Sequence, residues 1–219
     1  MRTTGKTLFI LAAIIFGTTA AAQQDPEAAA ILEKLSEKTR SDSGIMIDFS
    51  VEMEDRQRGV SDRFGGSILM HGEKYKLELF DTETYFDGKS VYTFLKDVNE
   101  VMISDPEEDE DNIFSNPLAL MTLYERNFRF RLRGEVSSQG KTLYEIDLHP
   151  EEMEAEFHTI KLFIDKEKIQ IDSAVISGKD GTIYTLKVDN FVEGVDVTDM
   201  DFTFDPEKHP GVEVIDLRW

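Results

Sequence analysis

A run of carboxylates at residues 105–111 is the densest group of potential metal ligands in the chain. Oxygen atoms at alternate positions are what a calcium loop requires. An EF-hand loop that began at Asp105 would need Gly at its sixth position and Glu at its twelfth, but Glu110 and Asn116 stand there. The spacing therefore favours a solvated acidic loop, with weak cation binding as the alternative. We predict no metal site.

Histidine and serine, which often act in catalysis, show no catalytic spacing in this chain. No two histidines form a His-x-x-x-His pair. The four are His71, His149, His158 and His209. The Gly-x-Ser-x-Gly pattern of serine hydrolases is absent, and the segment 87–90 lacks the upstream glycine of a phosphate-binding loop. We expect each histidine to be a satisfied or surface side chain, and we predict a protein that is not an enzyme and has no cofactor.

Arg129, Arg131 and Arg133 alternate with apolar residues, so they would share one face of a strand. In a basic protein such a stripe could follow a phosphate backbone. The formal net charge of this chain of 219 residues is −20, with 44 Asp and Glu against 24 Lys and Arg. We therefore predict that the arginines pair with acids across strands. Because so negative a surface repels phosphate, we also predict that no nucleic acid binds.

The N-terminal segment has the three parts of a cleavable export signal. A basic start precedes an apolar run over 8–16, and Ala20-x-Ala22 is a small-residue cleavage pattern. The apolar run is too short to span a bilayer comfortably. We predict a signal peptide at 1–22, a single domain at 23–219 and a location in the periplasm. The chain contains no cysteine, so its stability in that oxidising compartment must come from its core.

From residue 45 onward, apolar residues recur with a period of two. Ile45, Ile47, Phe49 and Val51 alternate with mostly polar neighbours, the pattern of a strand with one wet face. The alternation returns in eleven further segments, 67–71, 75–80, 90–95, 100–103, 128–133, 142–149, 157–165, 169–177, 182–190, 202–204 and 212–217. Turn residues such as Asp-Gly pairs separate these segments, which favours an antiparallel meander.

Two helices are predicted beside the strands. Asp25 and Pro26 have the residue types of an N-cap and a first helical position, and an apolar stripe follows them as far as Arg40. Asn116 and Pro117 start a second helix. The predicted fold class is therefore mainly β, an unclosed antiparallel half-barrel of about eleven strands with an α-helical lid.

Apolar side chains on the predicted sheet and lid would line a cavity if their packing is incomplete. The chain is rich in them, with 15 Phe and 8 Met. The candidate lining residues are Leu32, Leu35, Phe49, Leu69, Leu77, Leu79, Phe94, Met102, Leu118 and Met121.

Five segments follow one another as in a known family. Residues 66–70, 74–78 and 86–94 match a glycine-led strand, a basic-aromatic strand and an Asp-Gly turn with its following strand. Residues 116–121 match an Asn-Pro helix, and 202–214 match a Phe-x-Phe ending. In this order the segments resemble LolA, the family of periplasmic carriers of outer-membrane lipoproteins.

The resemblance implies an unclosed barrel whose helical lid and sheet hold acyl chains between them, without catalysis. It implies that the partners are acylated lipoproteins, an inner-membrane ABC transporter of the Lol type, and an outer-membrane acceptor or the outer membrane directly. The candidate lining residues would then contact the acyl chains. We expect the carrier to be a monomer.

Three rival interpretations remain at this stage. A lipid- or lipoprotein-sensing periplasmic regulator could use the same half-barrel, with a second domain to signal to its partner. An exported hydrolase would need a converging acid, base or metal set. A purely structural β-protein would not bind a hydrophobic fluorophore, whereas a carrier or a sensor would.

Overall fold

The structure is a computed structural model that describes residues 24–40, 43–106, 128–153 and 155–218. These residues include one α-helix, α1 (Pro26–Thr39). Their strands are β1 (Gly44–Asp55), β2 (Val60–His71), β3 (Lys74–Leu79), β4 (Thr82–Phe86), β5 (Val91–Leu95), β6 (Glu100–Ser104), β7 (Phe128–Ser138), β8 (Lys141–Pro150), β9 (Phe157–Asp165), β10 (Gln170–Gly178), β11 (Thr182–Val195) and β12 (Glu213–Asp216). Two short 3-10 helices, Asp199–Phe202 and Pro206–Lys208, lie between β11 and β12.

All the described strands belong to one sheet in the order β12-β6-β5-β4-β3-β2-β1-β11-β10-β9-β8-β7. Two meanders, β1 to β6 and β7 to β11, meet where β11 pairs antiparallel with β1. β7 and β12 stand at opposite edges, so the sheet does not close. The predicted unclosed half-barrel is confirmed, with one exception to the antiparallel order, because β12 pairs parallel to β6.

The burial of β1 distinguishes the two faces of the sheet. Ile45, Ile47 and Phe49 are buried, whereas Met46 and Glu52 are exposed. Side chains of α1 pack against the first set, and we call this the inner face and its opposite the outer face. Because cross-strand partners point to the same side of a sheet, the pairing register assigns every residue of the neighbouring strands to one face or the other.

The main core lies between α1 and the inner face. The stripe of α1 contributes four buried residues, as its helical spacing predicts, and the central strands contribute the rest. Its most deeply buried members include Ala28, Leu32, Leu35, Ile45, Met70, Ile146, Leu148, Ile160, Leu162, Ile164 and Ile176. Each large aliphatic side chain here stabilises the fold by about 1.5–3 kcal/mol relative to exposure. The inner face is therefore closely packed where α1 covers it.

The start of α1 is fixed to the edge strand β7 by two polar side chains. Asp25 Oδ1 accepts hydrogen bonds from the N–H groups of Glu27 (3.0 Å) and Ala28 (3.2 Å), which makes it the predicted N-cap. Its Oδ2 accepts from the N–H of Leu132 at 3.0 Å. Gln24 Nε2 donates to the carbonyl of Phe128 at 2.9 Å. These bonds also satisfy edge groups of β7 that would otherwise stay unpaired.

The other end of α1 is held by Lys38. Its Nζ donates to the carbonyl oxygen of Lys168 at 2.6 Å and lies 2.8 Å from Glu193 Oε1. The ammonium is also 6.0 Å from the centre of the Phe191 ring. The helix is therefore attached to the sheet at both ends.

We predict that Asp25→Ala lowers the free energy of unfolding by about 1–2 kcal/mol at neutral pH, because the helix loses its cap. Burial acts to raise the pKa of Asp25, but the N–H groups of Ala28, Leu132 and Glu27 hold that pKa below its ordinary value. The charge-dependent stabilisation is thus present above the unfolded value of about 3.9. It is lost as pH falls through the folded-state pKa.

Urea denaturation at about pH 7 and about pH 3 tests this prediction. Asp25→Asn is the matched control, because it keeps a capping oxygen and lacks the charge. The difference in unfolding free energy between the wild type and this control should be clear at neutral pH and should shrink in acid. A difference that is the same at both pH values would contradict the role assigned to the charge.

A second, smaller core covers the outer face of β4 to β6. Residues 196–212, which we call the C-terminal strap, run over this face before β12 begins. Phe204 of the strap packs with Tyr85, Phe94 and Val101, all buried. His209 lies beside them, with its ring centre 4.4 Å from that of Phe94 and 4.8 Å from that of Phe204. The strap therefore encloses apolar groups that lie opposite the main core.

The predicted strand at 202–204 is wrong. Phe202 ends the first 3-10 helix, in which Asp201 Oδ2 accepts from the N–H of Thr198 at 2.7 Å and from its hydroxyl at 3.0 Å. Asp199 of the same helix pairs with Lys74 at 2.6 Å. Phe202 and Phe204 are both buried. Their spacing of two residues is that of a strand, but they belong to the C-terminal strap and not to the sheet.

Candidate functional site

The inner face is most deeply buried across β8 to β10 and is less buried across β3 to β6. Along one row of cross-strand partners, Ile68 and Leu77 are buried, whereas Thr84, Thr93 and Met102 are only half-buried. The buried side is the one that α1 covers. A less buried surface thus extends from the main core across β3 to β6.

Five apolar side chains form this half-buried surface, and we call them the inner strip. They are Leu79, Phe86, Val91, Leu95 and Met102. Leu79 and Phe86 also pack against the main core, so the strip continues it. An apolar surface of this kind, next to a solid core, is suited to a hydrophobic ligand or to another apolar segment.

The structure brings six of the predicted lining residues to the inner side of the sheet. Leu32 and Leu35 of α1 are buried in the main core together with Phe49 and Leu77. The other two, Leu79 and Met102, belong to the inner strip. The first four therefore form the support of the candidate site, and only the last two line its open part.

Leu69 and Phe94 lie on the outer face and are not brought to this site. Leu69 is the cross-strand partner of Met46 and of Lys76, which point outward. The Phe94 ring packs against Phe204 with their centres 5.1 Å apart. The physical reason is the alternation of a strand, which sends Ile68 and Leu69 to opposite sides.

Four predicted features fall wholly or partly outside the described residues, the first of them the signal peptide at 1–22. Leu118 and Met121 lie there, together with the helix start at Asn116 and Pro117. Most of the acidic loop does as well, apart from Asp105, which is exposed.

Sequence reasoning missed β4 and, with it, Phe86 of the inner strip. The inner-facing residues of β4 are Thr82, Thr84 and Phe86, and its outer face carries the buried Tyr85. Polar residues therefore stand where apolar ones were expected, and the period-two signal is lost. The Asp-Gly turn at 87–88 was the available signal, because it required a strand on each side.

The charges of β3 to β5 are gathered on the outer face. Lys96 Nζ lies 2.8 Å from Glu83 Oε1, and Lys76 Nζ lies 3.6 Å from Glu83 Oε2. Tyr85 donates its phenolic hydrogen to the same carboxylate. Burial acts to raise the pKa of Glu83, but the bonds from Lys96 and Tyr85 hold that pKa below its ordinary value. These charges satisfy one another on the side of the sheet away from the inner strip.

The arginine stripe of β7 also faces outward. Arg133 Nε donates to Asp147 Oδ2 at 2.6 Å, so the predicted pairing with an acid is confirmed for this residue. Asp147 is buried, and Lys161 Nζ lies 3.8 Å from its other oxygen. This ion pair links β7 to β8 on the outer face.

Among the residues that the structure describes, no group of three or more histidine or acidic side chains is placed to hold a metal ion. His149 Nδ1 lies 3.2 Å from the carbonyl oxygen of His158, and His158 Nδ1 lies 3.1 Å from the Thr159 hydroxyl.

No helix in the described ranges has the length and apolar character needed to cross a bilayer.

Comparison with known proteins gives one family and a set of similar folds. A family model described as outer membrane lipoprotein carrier protein LolA matches residues 18–180. An uncharacterized conserved protein from Thermus thermophilus has a TM-score of 0.60 at 16% identity, over 87% of this chain and 99% of that chain. This likeness confirms the fold alone.

Two further structures are less similar. A LolA superfamily protein from Nitrosomonas europaea has a TM-score of 0.46 at 12% identity, over 81% of this chain and 98% of that chain. A putative outer membrane lipoprotein-sorting protein domain from Vibrio parahaemolyticus has a TM-score of 0.48 at 9% identity, over 82% and 97%. No curated protein matches the chain in sequence.

Proposed function

The chain belongs to the LolA family of outer membrane lipoprotein carrier proteins, and on this premise we propose that it carries lipoproteins through the periplasm. Its inner strip would bind the acyl chains of lipoproteins released by an inner-membrane ABC transporter of the Lol type. It would deliver them to an outer-membrane acceptor or to the outer membrane directly. Such a carrier binds and releases its ligand and catalyses no reaction.

The observation that supports this proposal is the half-buried inner strip. Acyl chains cannot cross water unless they are covered, and each buried methylene contributes about 0.8 kcal/mol. Leu79, Phe86 and Met102 supply apolar contact on the inner face, whereas Glu83 and the lysines that neutralise it lie on the outer face. A hydrocarbon chain on the strip would therefore not have to desolvate the ion pairs around Glu83. The acid that the register places beside the strip is Glu100, the cross-strand partner of Leu95.

A carrier must also release its acylated ligand. A completely exposed apolar groove would bind an acyl chain so strongly that transfer to an acceptor becomes slow. The strip is only partly exposed and is continuous with a solid core, so ligand binding removes a limited apolar area from water. The net affinity is then moderate, because only the area newly buried contributes to it.

Site-specific photo-crosslinking in cells tests the proposal. We expect a photoreactive residue at Met102, on the inner strip, to form adducts with proteins labelled by an alkyne fatty acid. The matched control is the same residue at Met46, which is 37% exposed on the outer face and should give no such adducts. Equal labelling from both positions, or adducts without acyl label at Met102, would contradict the carrier function.

The same experiment separates the carrier from a sensing regulator with the same half-barrel. A carrier captures many different acylated proteins, and its depletion should leave them in the inner membrane. If Met102 instead captured one lipid or lipoprotein, and depletion changed signalling without changing lipoprotein location, the regulator would replace the carrier as the proposal.

A further inference from the structure

Three threonines interrupt the apolar surface of the inner face. Thr82 and Thr84 belong to β4, and Thr93 of β5 is the direct cross-strand partner of Thr84. All three are half-buried. In antiparallel strands the Cβ atoms of direct partners lie about 5 Å apart, and residues i and i+2 of one strand are separated by about 7 Å. The three hydroxyls therefore form one compact group, which we call the threonine cluster.

The hydroxyls of this cluster are unpaired within the part of the chain that the structure describes. Neither backbone nor side-chain groups there form a hydrogen bond with the hydroxyl of Thr82, Thr84 or Thr93, whereas the outer-facing hydroxyl of Tyr85 on the same strand is bonded to Glu83. A hydroxyl that loses water without gaining a partner costs about 1–3 kcal/mol. A purely hydrocarbon ligand laid over the cluster would incur this cost at each threonine.

The neighbours of the cluster restrict the chemistry of its partner. Leu77 lies beside Thr84, Met102 lies beside Thr93, and Leu95 is the cross-strand partner of Thr82. None of these three neighbours is charged. Beyond them, Leu95 is paired with Glu100, and Glu100 with Glu213, so the charges next to this surface are negative and would repel an anionic group. Hydroxyl donors within an apolar surface are matched by neutral acceptors, and carbonyl oxygens are the commonest of these.

We infer that Thr82, Thr84 and Thr93 form a subsite for the linkage region of an acylated ligand, donating to the carbonyl oxygens of its ester or amide groups. The hydrocarbon chains would then lie against Leu79 and Met102 of the inner strip. This inference rests on the proposed function, because it assumes that an acylated molecule occupies the strip. It adds the polar contacts that position such a ligand and distinguish it from a plain hydrocarbon.

Two ligands of matched size test the subsite. Methyl dodecanoate and pentadecane have the same number of non-hydrogen atoms, but only the first carries a carbonyl group. Affinities are measured by displacement of a hydrophobic fluorophore from the delipidated protein. In the double variant Thr84→Val/Thr93→Val we expect affinity for the ester to fall about tenfold, because up to two hydrogen bonds are lost. Affinity for the alkane should stay the same or increase.

Two controls accompany the double variant. Thr185→Val changes a half-buried threonine on the outer face of β11 and should affect neither ligand. Thr84→Ser/Thr93→Ser keeps the hydroxyls and should restore ester binding. Because valine is β-branched and the removed hydroxyls are unpaired, the double variant should fold as stably as the wild type.

The possible outcomes separate the subsite from the proposed function. If the ester and the alkane both bind and the valine variant affects neither, the subsite is overturned and the carrier function stands. If the variant weakens both ligands equally, the threonines act through packing, and the subsite is again overturned. If the wild type binds neither ligand, both the proposed function and the subsite fail.

Discussion

Met102→Asp lowers the affinity for a hydrophobic ligand about a hundredfold, whereas Leu69→Asp leaves it unchanged; this is the largest functional effect that we expect. Both residues are half-buried in the same sheet, Leu69 on β2 and Met102 on β6. Met102 faces inward beside Thr93, and Leu69 faces outward beside Lys76. A carboxylate at Met102 would have to lose its water when an acyl chain covers it. A hundredfold loss corresponds to about 2.7 kcal/mol.

Fluorophore displacement by a fatty acyl ester measures this difference, with circular dichroism as the check that both variants fold. Leu69→Asp is a strict control, because it introduces the same charge at a similar degree of burial on the opposite face. The placement of the site on the inner face would be refuted by equal losses in the two variants. Wild-type affinity in a folded Met102→Asp variant would refute the strip itself.

The largest effect on stability is expected from Phe202→Ala, which should lower the free energy of unfolding by about 3–5 kcal/mol. Phe202 is 0% exposed, and its ring centre lies 6.4 Å from that of His71 at the end of β2. Truncation would leave a cavity between the C-terminal strap and the sheet. Because the strap leads into β12, we also expect the variant to exchange the amide hydrogens of β12 faster than the wild type does. The exchange of β9 should change less.

Met200→Ala is the matched control, since Met200 belongs to the same 3-10 helix and is 70% exposed. Its removal should change the unfolding free energy by less than about 0.5 kcal/mol. Urea denaturation followed by circular dichroism measures both variants. Similar small losses in the two would show that the strap contributes little to stability and is not part of the folded core.

Local patterns were sufficient to predict most of the secondary structure. β9 has the bounds that its alternation predicted, and α1 begins at Pro26 because Asp25 caps it. Both signals depend only on neighbouring residues, namely the period of apolar side chains and the satisfaction of the first helical N–H groups. The succession of motifs, which resembles LolA, also identified the family that the model match confirms.

Local patterns failed where polar residues face inward or apolar residues pack on a second layer. β4 was missed because Thr82 and Thr84 occupy its inner positions. Phe202 and Phe204 were assigned to a strand because both are apolar and two residues apart, although both belong to the strap. Phe204 packs in the core of the outer face, and Phe202 lies beside His71. In each case the environment of the side chain is set by other strands or layers, and the period of the segment carries no information about it.

The sequence by itself determined the fold class, the first helix with its cap, and the family. Only the tertiary structure decided which face each apolar residue occupies. Leu69 and Leu77 look alike in sequence, but the cross-strand register places Leu77 opposite Ile68 on the inner face and Leu69 opposite Met46 on the outer one. The physical reason is that alternation defines two faces without saying which is covered. That choice depends on where α1 and the C-terminal strap pack, and both are contacts between segments distant in sequence.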